Sequence, residues 1–377
     1  MPHPTSQISR TMRHLNIKAL LIATIFICVS QSVIAQNQYW DQYALLPVLM
    51  QQNNNGSKQI LKFIAFTDGM LVAELDGGVG EVSLPVSASM AKTLRLSIDT
   101  QRPREMIKSK NYTDALALMR PEVYPLIKFH QVPASLAQLH GPIRLLIDTL
   151  IDAGEYTEAE EIIKKLQLDS IGIKYSESAI RLMNRLIFTK DFEGAARIAQ
   201  NLPVKGEYAP NITSVVDAAN ALRGAQNYNA IIPLYRAIEN AVTDEVRANV
   251  QMWLAYSLIL ADRLDEATPI LNNLKQPESK DRLFSLYKLL QGSKAHREGD
   301  YAEALDVLTR GFVRAQTSYV WVPEMLFLIG DCYSRSEDNF AARNVWTEIV
   351  ILYPQSPWAR RAQKSLDQLP KPEISNQ

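Results

Sequence analysis

The feature that most constrains this chain is a repeat. From Tyr112 onward an aromatic or large residue is followed three positions later, usually by alanine, and then by mostly apolar residues four and seven further on. The copies run Tyr112…Ala115, Tyr156…Ala159-Ile163-Leu166, Phe192…Ala195-Ala199-Leu202, Tyr228…Ile231-Tyr235-Ile238, Leu264…Ala267-Leu271-Leu274, Tyr301…Ala304-Leu308-Gly311 and Asn339…Ala342-Trp346-Ile349. Their third positions, 115, 159, 195, 231, 267, 304 and 342, are separated by 44, 36, 36, 36, 37 and 38 residues. Five nearly equal gaps in a row argue for stacked copies of one supersecondary unit rather than a single compact core.

Each copy after the first has an amphipathic helix ahead of it. Ile143-Leu146-Ile147-Leu150, Ala179-Leu182-Met183-Leu186 and Val215-Ala218-Ala219-Leu222 keep the i, i+3, i+4, i+7 spacing of one buried face. Small residues recur at one register of this first helix (Ala219, Ala255, Gly292, Gly330) and near the start of the second, which lets two helices cross closely. The long first gap carries Pro121, Pro125, Pro133 and Pro142, so a kink or padding is expected there. Pro233 and Pro269 share one register early in their helices, where a lost N–H is expected to cost least.

Upstream the period changes to two. Lys58 to Ile98 reads as β-prone runs separated by Asp68-Gly69 and Asp76-Gly77-Gly78, and aspartate-glycine is a strong hairpin signal because the turn needs positive φ. A short helical turn is expected around Ala88–Ala91, before Leu94–Ile98. The order of three strands, a single turn and a strand resembles an SH3-like or Sm-like barrel. Residues 37–56 give no periodic signal, and Asn53-Asn54-Asn55-Gly56 reads as a loop.

The N-terminal stretch has the order of a secretory signal. Arg10, Arg13 and Lys18 precede the apolar run Ala19–Val29, no acidic residue occurs before Asp41, and Val33-Ile34-Ala35 offers a cleavage site. The run is too short for the ~20 residues of a membrane span, so residues 1–35 are expected to be a cleaved signal peptide rather than a retained anchor. Cleavage leaves 37 basic against 40 acidic residues and Cys332 as the single cysteine. That near-balance gives no electrostatic case for nucleic acid. Domain organisation then reads as the signal peptide (1–35), a strand-rich module (37–102), the repeat region (103–369) and a disordered tail (370–377).

Chemistry is sparse. His130, His140 and His296 are scattered, with no spacing that would gather a metal ion. Gly77-Gly78-Val79-Gly80 lacks the helix and lysine of a phosphate loop. Acidic pairs such as Glu160-Glu161 and Asp265-Glu266 fall on helix starts or solvated faces. Neither a cofactor, a metal nor an enzymatic activity is expected.

The repeats resemble the tetratricopeptide family. The last copy carries Leu326, Ile329, Gly330, Tyr333, Ala342, Trp346, Ile349 and Pro354 at the family's consensus positions. Residues 351–359 are similar to repeat ends in Gram-negative envelope proteins, such as the periplasmic protein of the Tol–Pal system. The resemblance implies a mainly α, right-handed solenoid of a half repeat, six repeats and a closing helix, preceded by the β module. It implies a periplasmic, non-enzymatic scaffold that binds envelope proteins through a groove lined by the first helices. Carried over by register, the groove positions include Arg144, Asp148, Asn184, Phe188, Asn220, Arg223, Met252, Tyr256, Arg297 and Arg335. A glycan-binding or cell-wall-processing accessory protein is the alternative reading.

Overall fold

The computed structural model describes residues 47–52, 58–78, 80–86, 94–96, 98–132, 137–169 and 171–370. The expected signal segment, the turn around Ala88–Ala91 and the tail beyond Pro370 lie outside the described residues. The chain divides into two compact units, Met1–Leu182 and Met183–Gln377.

Among the described residues the first unit begins with five strands: β1 (Val48–Gln52), β2 (Lys58–Thr67), β3 (Met70–Leu75), β4 (Glu81–Pro85) and β5 (Leu94–Leu96). They form one antiparallel sheet in the order β4-β3-β2-β1-β5, so the last strand returns to pair with the first. Asp68 and Gly69 close the β2–β3 hairpin at φ 53° and 74°, the positive pair that such a turn requires. Alternate residues Leu61 and Phe63 of β2, with Leu71 and Ala73 of β3, are fully buried. The Phe63 ring lies 5.5 Å from that of Phe129, which seats the sheet against the helical chain that follows. Strand β1 is a finding beyond the sequence reading: its five residues, VLMQQ, take strand form through pairing on both edges, with β2 and β5.

Helices α1 (Gln101–Lys108), α2 (Tyr112–Ile127), α3 (Ala137–Ala153), α4 (Tyr156–Lys165) and α5 (Ile173–Phe188) follow, and the chain boundary of the first unit falls within the residues of α5. The long first gap is taken up by α2, which has 16 residues and runs through Pro121 and Pro125, where α4 has 10. A part-buried ionic contact ties α2 to α4. Arg120 donates two hydrogen bonds to Glu158, at 2.9 and 2.7 Å, and the Tyr124 hydroxyl donates a third. Glu160, expected on a solvated face, is buried and held by Lys164 at 2.8 Å.

The second unit continues with α6 (Phe192–Asn201), α7 (Asn211–Gly224), α8 (Tyr228–Glu239), α9 (Asp244–Leu260), α10 (Leu264–Asn273), α11 (Arg282–Arg297), α12 (Tyr301–Phe312), α13 (Val322–Arg335), α14 (Asn339–Leu352) and α15 (Pro357–Gln368). One turn recurs at the centre of every helix pair. Lys110, Gly154, Lys190, Gln226, Asp262, Gly299 and Glu337 all sit at φ between 60° and 84°. In each case the following N–H reaches a carbonyl five residues back, as from Asp191 to Leu186 at 2.8 Å and from Asp338 to Tyr333 at 2.9 Å. The positive-φ residue's own N–H bonds three back, as from Lys190 to Ile187 at 3.0 Å. These two bonds are a Schellman cap, which satisfies the carbonyls left open at a helix end. The second helix then starts on a side-chain cap at Asn111, Asp191, Asp300 and Asp338, each accepting from the N–H three residues on.

The third position of the repeat is the crossing point of each pair. Ala115, Ala159, Ala195, Ala267, Ala304 and Ala342 are fully buried, and Ile231 is nearly so. The facing glycines are required by distance. A Cβ on Gly330 would lie 2.4 Å from Trp346 Nε1, and one on Gly292 would lie 2.5 Å from Leu308 Cγ. The reading of Pro233 and Pro269 needs correcting, because each is the sixth residue of its helix and lies beyond the first turn, whose N–H groups are free in any case. Helix α15 closes the array by burying Trp358, Ala359 and Ala362, with the Trp358 ring 5.2 Å from Phe327. Among the described residues no helix is long and apolar enough to cross a membrane.

Candidate functional site

Helix α7 has two useful faces. Val215, Ala218, Ala219 and Leu222 are buried in the pair, while Ile212, Val216, Asn220 and Arg223 form a second stripe at helical spacing. Val246, Asn249, Val250 and Trp253 make the matching stripe of α9. Between them lies a cleft of about 320 Å³, completed by Ile238 near the end of α8, by Val242 beyond it, by Arg282 at the start of α11 and by Val320.

Two arginines on indole rings give the cleft its polarity. The Arg223 guanidinium lies 4.3 Å from the Trp253 ring centroid, and its Nη1 is shielded from water with no acceptor among the described residues. A buried donor left unpaired costs about 1–3 kcal/mol. Arg282 stacks over Tyr319 at 5.1 Å and over Trp321 at 5.6 Å. The platforms are themselves fixed. Trp253 and Trp321 meet edge to face at 5.8 Å, and Trp321 Nε1 donates to Ser285 Oγ at 3.1 Å. Asn220 and Asn249 are exposed at the rim.

A second cleft, of about 280 Å³, is lined among others by Arg297, Glu324, Phe327, Trp358 and Arg361. Glu324 is 2% exposed and accepts a hydrogen bond of 2.5 Å from the Tyr256 hydroxyl. Loss of water pushes its carboxyl up to about 7, against the opposing pull of the Tyr256 bond and the charges of Arg361 and Arg297. The same burial, with the Glu324 carboxylate beside it, holds the Tyr256 hydroxyl well above the usual phenol range.

The structure separates the groove positions that register had grouped. Asn220 and Arg223 share the first cleft, and Arg297 lines the second while paired with Asp262. Asn184 and Phe188 are exposed on α5, Phe188 at 80%. Two positions are core rather than groove: Met252 is 2% exposed, and Tyr256 is 6% exposed and spends its hydroxyl on Glu324. Arg144 and Asp148, in the first unit, belong to an ion-pair network linking α3 and α5. Arg144 reaches Glu177 at 2.7 Å, and Ser178 donates to Asp148 at 2.9 Å. Arg335 pairs with Asp331 at 3.5 Å. Sequence reasoning missed Trp253, Asn249, Arg282, Trp321 and Glu324. Cys332 is fully buried, and burial pushes its thiol up to about 12. No group of His, Cys, Asp and Glu suited to a metal ion occurs among the described residues.

The fold is mainly α: a tetratricopeptide-type succession of helix pairs preceded by a small antiparallel sheet. No family model matches the sequence, and no curated protein matches it. Among solved structures the chain is similar to YrrB, described as a TPR protein with an unusual peptide-binding site, at 16% identity and a TM-score of 0.31, over 55% of this chain and 97% of that one. It is also similar to the Naa15/Naa10 complex bound to HypK-THB, at 16% identity and a TM-score of 0.35, over 72% of this chain and 39% of that one. Likenesses this distant transfer no ligand and no role.

Proposed function

We propose that the protein is a non-enzymatic scaffold that holds a segment of a partner protein along the first helices of its repeats. The observation that carries this reading is the α7–α9 cleft. Its walls are apolar, its rim offers amides that both donate and accept, and its base holds a guanidinium nitrogen without an acceptor. The basic, apolar and small order of residues 10–35 supports export, which would place the scaffold and its partner in a Gram-negative-type envelope. The similarity of residues 351–359 to envelope repeat proteins favours the same compartment.

The triple change of Asn184, Asn220 and Arg223 to alanine tests the surface. Each lost hydrogen bond is worth about 0.5–1.5 kcal/mol, and more where one group is charged, so partner affinity is expected to fall about ten- to a thousand-fold. Far-ultraviolet circular dichroism is expected to stay helical. Undiminished capture of the native partner would move the binding surface elsewhere, with the β module as the next place to look.

A further inference from the structure

Six arginines of the second unit have carboxylate partners among the described residues. Arg236 and Arg263 share Glu266, Arg247 has Asp244, Arg297 has Asp262, Arg310 has Asp306 and Arg335 has Asp331. Arg223 and Arg282 have no carboxylate partner among the described residues, both stack on indole rings, and both line one cleft. An indole ring takes up none of a guanidinium's N–H donors, and those donors match a planar carboxylate.

We propose that this cleft is a carboxylate site: Arg223 and Arg282 hold an aspartate or glutamate side chain of the partner segment, and the valine wall takes an aliphatic neighbour of that residue. The proposal rests on the scaffold reading and adds the chemistry of the ligand to it. Charge complementarity selects an anion, because two cations face one cavity without a counter-charge. The apolar wall selects a carboxylate on a hydrophobic segment over a phosphate dianion. Val216, Val242, Val246 and Val250 offer no donors to replace the larger hydration shell of phosphate.

The test uses the full chain and two end-blocked peptides, acetyl-Leu-Asp-Leu-Leu-amide and acetyl-Leu-Asn-Leu-Leu-amide, so that the side chain is the sole possible carboxylate. Titration is followed by the arginine Nε–H resonances in NMR, assigned with Arg223→Gln and Arg282→Gln. The aspartate peptide is expected to shift both resonances and to bind about tenfold or more tightly than the asparagine peptide, as hydrogen bonds to charged groups are the strong ones. Each single Gln variant is expected to remove most of that preference. Arg282→Gln is the safer variant because Arg282 is exposed, and its thermal midpoint should not move. Equal binding of the two peptides, silence of both resonances at millimolar peptide, or stronger displacement by inorganic phosphate would overturn the carboxylate assignment. If the triple variant of Asn184, Asn220 and Arg223 still releases the native partner, the scaffold reading survives that result. If it does not, the binding surface lies elsewhere, and the cleft and its carboxylate assignment fall together.

Discussion

Glu324 shows what one residue does when two distant helices enclose it. Its carboxyl is out of water, receives the Tyr256 hydroxyl across 68 residues of sequence, and titrates near 7 instead of the ordinary 4.5. A raised native value means that the folded chain binds this proton more tightly than the unfolded chain does. The resulting stability is complete below about 4.5 and is lost as pH rises through about 7, a change on the order of 3 kcal/mol. Glutamine keeps an acceptor for Tyr256 and cannot ionise. Urea unfolding is therefore expected to show the wild type losing stability relative to Glu324→Gln between pH 4.5 and 7.5, and parallel pH profiles would rule the effect out. None of this was legible in the sequence. Glu324 sits three residues into a helix, where an acid is ordinary, and only packing shows that α9 covers it. Arg223 was singled out by its register, but the Trp253 ring beneath it left no mark in the sequence.

Helix pairs were the most legible level. Alanine at the crossing point and glycine opposite it follow from the distance between two backbones, so Ala304 against Gly292 and Trp346 over Gly330 leave a mark at fixed spacing. Side-chain caps at Asp191, Asp300 and Asp338 are equally readable, since a short acceptor must precede the helix. The Schellman turns were missed because the usual signal is glycine, and five of the seven positions carry Lys110, Lys190, Gln226, Asp262 and Glu337 instead. That choice leaves a measurable strain. A side chain at positive φ costs about 1–2 kcal/mol, and glycine gives back about 0.5–1 through its freer unfolded chain. Gln226→Gly is thus expected to raise stability by up to about 1 kcal/mol, and Gly299→Val to lower it by about 1–2. Chemical denaturation in which both variants moved the same way would contradict the assignment of these turns.

For the molecule as a whole, the period gave the helical array and the aspartate-glycine turn gave the hairpin, while contacts between distant segments stayed hidden. Strand β1 exists through its neighbours, and the candidate site joins α7, α9, the start of α11 and the segment before α13. Trp253 and Trp321 stand 68 residues apart, so no single repeat contains the cleft. On the proposed function, a partner's polypeptide lies in that cleft. A photo-crosslinking amino acid at Asn249, exposed on the rim, tests it directly in the protein's own host. A discrete adduct with a protein is expected, mapped by mass spectrometry to a segment that carries an aspartate or glutamate beside aliphatic residues. That adduct should be lost when Arg223→Gln and Arg282→Gln are combined. An absent adduct at Asn249, or one that persists undiminished in the double variant, would contradict it.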